Sequence, residues 1–307
     1  MKTRVVPVLA GLIVATLTVV VVSACSLTGS GFLVGSTNFT ESRILANIFA
    51  LSLSRTGTPA QVKELTAREI LEPALAKGQL QAVPEYLGTF TEFLNKKQNG
   101  TDAPALASSD PATTYQHLVG LAEPLGLTVL PPSPAQDQNA FAVTGDYAKA
   151  HNLTTLSQLG TFSKSHSVTL GAGPECPTRP FCQPGLEQTY GITFAGFMAL
   201  DSGGPLTVQA LQQDKIQLGL MFSSSGMVAA YNLTLLADDK HLQTADNVIP
   251  VLHTGSQTPQ ITATLNKVSA KLTTEDLQQL NAEVDLQRKD PRDVASQWLD
   301  SIGITEK

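Results

Sequence analysis

The sequence contains no catalytic signature. Across 307 residues there is no Gly-x-Ser-x-Gly elbow, no phosphate-loop motif and no His-Glu-x-x-His zinc motif. The histidines, His117, His151, His166, His241 and His253, are scattered, so none is assigned a chemical role and no metal or cofactor is expected. Basic runs are also missing. With 20 Lys and Arg against 26 Asp and Glu, the formal charge is −6, which argues against nucleic acid or anionic lipid headgroups as partners. Charged residues make up only 15% of the chain, with many Ser, Thr, Gln and Ala in their place. The lone tryptophan, Trp298, lies among apolar neighbours near the C-terminus and reads as core. Beyond residue 22 no apolar stretch is long enough to span a bilayer. These absences give little support to an enzyme and leave an ordinary soluble body beyond residue 22.

The exception is the N-terminus. Lys2 and Arg4 precede an almost unbroken apolar run from Val5 to Val22, which closes on Ser23, Ala24 and Cys25. A basic start, an apolar stretch and a small-residue exit make a secretory signal, residues 1–24. Cys25 directly after the small residues resembles a bacterial lipobox, which implies a thioether-linked lipid on Cys25 as the mature N-terminus. An uncleaved membrane anchor is the alternative. Either way the rest of the chain is expected outside the cytoplasmic membrane and anchored to it, with residues 25–31 as a flexible tether. Removal of Lys2 and Arg4 takes the charge to about −8. Only Cys176 and Cys182 then remain, with five residues between them in a Pro-rich loop that carries Arg179. Outside the membrane such a pair reads as a disulfide that stiffens the loop, with two buried free thiols as the alternative.

The body alternates strand and helix. Phe32 to Gly35 reads as a strand, and Thr40 as the cap of a helix over about Ser42 to Arg55, with Ile44, Leu45, Ile48 and Leu51 at helical spacing. A helix from Arg68 to Lys77, a strand from Leu80 to Val83 and a helix through Phe93 follow. A second set begins at Phe141 and includes strands at Ser167–Leu170 and Leu218–Phe222, with helices at Pro184–Tyr190 and Thr207–Gln213. Leu233–Leu236 reads as a strand returning to the first lobe, and two or three helices fill the C-terminal third. The alternation gives an α/β protein with helices packed on sheets, in two lobes with a cleft between them: residues 32–137 plus 232–307, and residues 138–231.

Ordered segments carry a resemblance. Val34-Gly35-Ser36-Thr37-Asn38-Phe39-Thr40-Glu41, Pro84-Glu85-Tyr86-Leu87-Gly88-Thr89, Thr178-Arg179-Pro180, Val208-Gln209-Ala210-Leu211, Phe222-Ser223-Ser224 and Asn281-Ala282-Glu283-Val284-Asp285 keep the order found in the binding proteins of osmoprotectant ABC transporters, which take glycine betaine, carnitine or choline. The resemblance covers essentially the whole mature chain. It implies a two-lobe, type II-like periplasmic-binding-protein fold that closes on its solute, a monomeric receptor, and permease and ATPase subunits as partners. It also implies a cage of aromatic rings for a quaternary ammonium group, because such a cation has no N–H to donate and is attracted by ring faces.

Carried over by position, the ligand-binding candidates are Asn38, Phe39, Thr40, Tyr86, Thr89, Asn139, Arg179, Gln209, Ser223, Ser224 and Tyr231. Tyr86 and Tyr231 would be cage walls and Arg179 a carboxylate partner, and all three are expected to line the cleft. Plainer roles stand beside these: Tyr86 as core, Arg179 paired with Glu175 or Glu187, Phe39 as a helix staple, Ser223–Ser225 as a strand-exit turn. The chain departs from the family where Asp137-Gln138-Asn139 replaces Asp-Thr-Tyr, where Val208 replaces a tyrosine, and at Ser223-Ser224-Ser225. These departures predict weak binding of betaine and choline. A neutral, hydroxyl-rich or planar solute, or a scaffold lipoprotein that has kept the fold without a solute, are the alternatives.

Overall fold

A computed structural model describes residues 1–2, 31–201 and 203–305. The expected signal and Cys25 lie outside the described residues, as does the tether up to Ser30. Along the chain the elements are β1 (Phe32–Ser36), α1 (Thr40–Arg55), β2 (Ala60–Glu64), α2 (Arg68–Ala76), β3 (Ala82–Tyr86), α3 (Leu87–Asn99), α4 (Pro111–Ala122), β4 (Leu127–Val129) and β5 (Asn139–Thr144). They continue with α5 (Gly145–His151), α6 (Leu156–Phe162), β6 (Thr169–Ala172), α7 (Gln183–Tyr190), β7 (Gly196–Ala199), α8 (Pro205–Gln212), β8 (Leu218–Phe222), α9 (Met227–Ala230) and β9 (Leu233–Leu236). The last are β10 (Val248–His253), α10 (Pro259–Ser269), α11 (Thr274–Asp285) and α12 (Pro291–Ser301).

Two mixed sheets organise these elements. The first runs β2-β1-β3-β10-β4 and the second β7-β6-β8-β5-β9. In each, one strand is antiparallel to its neighbours: β10 against β3 and β4, β5 against β8 and β9. These two strands are the ones on which the chain enters a sheet from the other. The crossing segments meet side by side, with an antiparallel bridge between Gln136 and Asn247 and a bond from Asp137 N to Asp246 O.

Period-2 alternation gives each sheet two buried faces, each covered by helices. In the first, Val34, Ala82 and Val248 face the side of α1, α10, α11 and α12, while Val83, Ile249 and Val251 face α2, α3 and α4. In the second, Phe141, Leu218 and Leu220 lie on one face and Ala142 and Met221 on the other. Helix α1 is the pillar of the first lobe, with Ile44, Leu45, Ile48, Phe49 and Leu53 all buried. Trp298 belongs to the same core.

Three expectations are corrected. Thr40 does not cap α1: the helix begins at Thr40, its N-cap is Phe39, and no side chain bonds the cap. The Thr40 hydroxyl instead donates to Asp285 Oδ1 at 2.6 Å, tying α1 to α11. The strand Leu233–Leu236 pairs with β5 and so belongs to the second sheet, not the first. The return therefore follows Leu236 rather than Asn232, because the apolar strand completes the sheet it is next to in sequence before the polar segment from Asp238 crosses. Third, β3 runs to Tyr86 rather than ending at Val83, with all five residues buried. Cys176 and Cys182 are bridged, with Cα atoms 5.2 Å apart, and both sulfurs sit in the second core.

Candidate functional site

A cleft of about 930 Å³ lies where the crossing segments bring the sheets together. The first lobe contributes Tyr86, Thr89 and Phe93, the crossing segments Asp137, Gln138 and Asp246, and the second lobe Asn139, Arg179, Phe181 and Phe222. Two smaller compartments adjoin it. One, of about 270 Å³, shares Asp137 and Phe222 with the main cleft and adds Phe39, Thr40, Glu41, Ser224 and Asn281. The other, of about 300 Å³, shares Tyr86 and includes Asn38, Phe39, Arg68 and Glu85.

Local structure places these side chains. Tyr86 ends β3 at its junction with α3, where it is the N-cap residue and supplies no side-chain cap. The cap comes from the crossing segment: Asp246 Oδ1 accepts the Gly88 and Thr89 amides at 2.8 and 3.0 Å. Gly88 permits this approach, since a Cβ there would fall 2.7 Å from the Ala245 carbonyl oxygen. The Tyr86 hydroxyl donates to Glu41 Oε1 at 2.5 Å, and Asn281 Nδ2 donates to Glu41 Oε2 at 2.6 Å and to Ser224 O at 2.9 Å. The Ser224 hydroxyl donates to Asp137 Oδ1 at 2.7 Å. A continuous chain of bonds thus runs from α1 through α11 and the turn after β8 to the crossing segment.

The cleft is acidic and walled by rings. Asp137 and Asp246 line it, and Glu41 lines the adjoining compartment beside Asp137. Arg68, in the third compartment, is already held by Glu85 at 2.7 Å, with a further bond to Thr89 Oγ1 at 3.2 Å. Burial, followed by the charge of Asp137, pushes the Glu41 carboxyl from 4.5 up to about 7, against hydrogen bonds from Tyr86, Asn281 and Ser224. Burial also raises Asp137, opposed by Ser224, and raises Asp246 to about 7 despite the two helix amides and Arg68. Phe39, Phe181 and Phe222 are 46%, 46% and 39% exposed, so large apolar rings that packing leaves uncovered gather at the cleft. Phe39 stacks on Tyr86 with centroids 6.4 Å apart.

The candidate residues divide by location. Tyr86, Thr89, Asn139 and Arg179 line the main cleft. Phe39, Thr40 and Ser224 line the compartment next to it, and Asn38 the third. Ser223 is engaged in the crossing itself: its hydroxyl accepts the Gln138 amide and donates to Gln136 O. Gln209 is exposed on α8, outside these three compartments. Tyr231 lies elsewhere, in a depression with Thr144, Tyr147 and Asp214. Arg179 reaches Glu175 only at 3.8 Å, with its side chain 67% exposed, so that pair holds it weakly. Sequence reasoning missed Phe181, Phe222, Glu41, Asp246 and Asn281 as a group. The available signal was that Phe222 and Glu41 sit inside the segments carrying the resemblance.

The family model for the substrate binding domain of ABC-type glycine betaine transport systems matches residues 33–301. The chain belongs to this family. It is 28% identical over 283 residues to the glycine betaine-binding protein YehZ of Escherichia coli, covering 89% of this chain and 91% of that one. It is 27% identical to the carnitine transport binding protein OpuCC of Listeria monocytogenes, covering 90% of each. The solved structure of apo YehZ superposes with a TM-score of 0.79 at 28% identity, over 90% of this chain and all of that one. The two-lobe α/β architecture and the solute-binding role in an ABC transport system are those of the family, and its members are binding proteins rather than enzymes.

Proposed function

We propose that this protein is an extracytoplasmic receptor, lipid-anchored through Cys25, that captures a small quaternary ammonium solute in the cleft. It closes on the solute by hinge motion of the crossing segments and presents it, as a monomer, to the permease and ATPase of its ABC importer. The observation that carries the reading is the combination of buried carboxylates with uncovered rings. Asp137 and Asp246 line the main cleft, and Glu41 lines the compartment beside it with Asp137, where no Lys or Arg stands among the described residues. Lys96 and Arg179 stand on the main cleft's lining, and Arg68 is held by Glu85. A permanently charged methylated ammonium suits such a site: rings attract it at about 0.5–2 kcal/mol each, and the carboxylates neutralise it at longer range.

Names of relatives that bind glycine betaine or carnitine support the same solute class. Arg179, exposed on the disulfide-closed loop and lining the cleft, would meet the carboxylate that both of those solutes carry. The roles of Phe39, Tyr86, Phe181 and Phe222 as walls, and of Asn139, Thr89 and Ser224 as polar contacts, belong to this proposal. The test is calorimetry with choline, glycine betaine and carnitine against polyols of similar size. Saturable binding of an onium solute, absent for the polyols, is the expected result. Polyol binding without onium binding refutes it. Anchoring is checked separately by mass spectrometry of the mature N-terminus, where a lipid-modified Cys25 is expected.

A further inference from the structure

The bonded chain between Glu41 and Asp137 does more than brace the cleft. We propose that this carboxylate pair carries one proton in the empty cleft and releases it to solvent when an onium cation enters, so that solute capture is a cation-for-proton exchange. The inference rests on the binding reading above and adds the charge balance to it.

The geometry supplies the reason. Glu41 is only 5% exposed, and the two carboxylates are linked through Asn281 and Ser224. Among the described residues, no Lys or Arg lines the compartment they share. The charged groups on the elements around that compartment are engaged with one another or of the same sign, and the cations Lys96 and Arg179 stand on the lining of the main cleft instead. On α1, Arg43 is turned out to Glu64. On α11, Asp285 takes the Thr40 hydroxyl. At the end of β3, Glu85 holds Arg68. In the main cleft, Glu92 accepts two amides of the loop after α3, while Lys96, Asp102 and Arg179 sit on its lining. Two buried anions linked through one hydrogen-bonded chain, in a compartment without a counter-cation, do not both stay ionised; burial raises both carboxyls, and the charge of Asp137 adds to it at Glu41.

Asp246 is the less suitable proton carrier. Its oxygen accepts two amides at the start of α3, a setting that favours the charged form. Asp246 is raised by burial as Glu41 is, but it lies in the main cleft with Arg68 acting on it. Glu41 and Asp137 share a compartment without a cation among its described lining residues, so the exchange is assigned to the pair at the α1 end. When a cation with no ionisable proton enters beside them, its charge takes over the neutralising role and the carboxyl O–H dissociates to buffer. Nothing else is transferred.

The experiment is calorimetric titration of the protein with choline chloride near pH 6.5, in two buffers of different ionisation enthalpy. A proton release of roughly 0.3 to 1 per cation is expected, with affinity rising up to about tenfold per pH unit toward neutrality and then levelling. Glu41→Gln, and independently Asp137→Asn, should abolish both the release and the slope. A ligand-free arm uses carboxyl carbon resonances of Asp- and Glu-labelled protein, where one of the pair should titrate near neutrality. Choline binding with a flat pH profile and no release overturns the exchange while leaving the binding reading intact. Failure of choline, glycine betaine and carnitine all to bind overturns the binding reading and the exchange with it. Carboxyl resonances showing both groups ionised below about pH 5 overturn the exchange whatever the ligand does.

Discussion

Replacing Tyr86 by Phe isolates one bond at the centre of the site. The ring is kept, so packing in the first core and the stacking on Phe39 survive, and only the hydroxyl that donates to Glu41 Oε1 at 2.5 Å is removed. That bond is buried, and its strength depends on the charge of its acceptor. With Glu41 ionised, a bond of this kind contributes about 1.5–3 kcal/mol, and with Glu41 neutral about 1 kcal/mol. The direction with pH follows from the raised carboxyl. Glu41 titrates at about 7 in the folded protein against 4.5 for an ordinary glutamate, so the folded state binds the extra proton between those values. The stability due to this group is therefore greatest below about pH 4.5 and is lost as pH rises through about 7, up to about 3 kcal/mol in all. In the variant the loss is larger, because a donor that favoured the charged form is missing. Urea denaturation of both proteins should show Tyr86→Phe costing about 1 kcal/mol near pH 5.5 and about 2 kcal/mol near pH 8.5. An equal cost at both pH values, or a larger cost in acid, refutes the assignment of Glu41 as the responding group.

Other perturbations have distinct signatures. Arg68→Met strands Glu85, which is 5% exposed, and should cost about 3 kcal/mol in denaturant titrations at neutral pH. Cys176→Ser with Cys182→Ser opens a short loop, lowering stability by about 2 kcal/mol. The same double change should loosen the presentation of Arg179 and Phe181, and so weaken glycine betaine more than choline in calorimetry. Phe39→Ala and Phe222→Ala, in compartments that meet at Asp137, should each weaken choline by about 0.5–2 kcal/mol with little effect on melting temperature, since both rings are substantially exposed.

Much of the architecture was legible because it is local. The apolar spacing at Ile44, Leu45 and Ile48 specifies α1, and the continuous run Leu218–Phe222 specifies a buried strand. Membership of a sheet is not local, and this is why Leu233–Leu236 was placed on the wrong side: its sequence says strand, but only its pairing with β5 says which sheet. The site divides the same way. Tyr86 and Arg179, read from short motifs, do reach one cleft, whereas Tyr231 and Gln209 do not. Motif positions also undercounted the rings. Val208, where the family carries a tyrosine, is buried in the second lobe's core, while Phe181 and Phe222 line the cleft. The acidic character was illegible for a similar reason. Residues 41, 137 and 246 are far apart in sequence, and only the crossing of the two segments brings them together.

The central claim is that the acidic, ring-walled cleft holds a quaternary ammonium. The most direct measurement is the change in melting temperature and the heat of binding on adding glycine betaine or choline to the protein, with a tert-butyl analogue of choline as an uncharged isostere. The account predicts saturable stabilisation by the charged solute and little or none by the isostere, because the same shape without the charge gains nothing from Glu41, Asp137 or the ring faces. Equal binding of the two, or of neither, contradicts it.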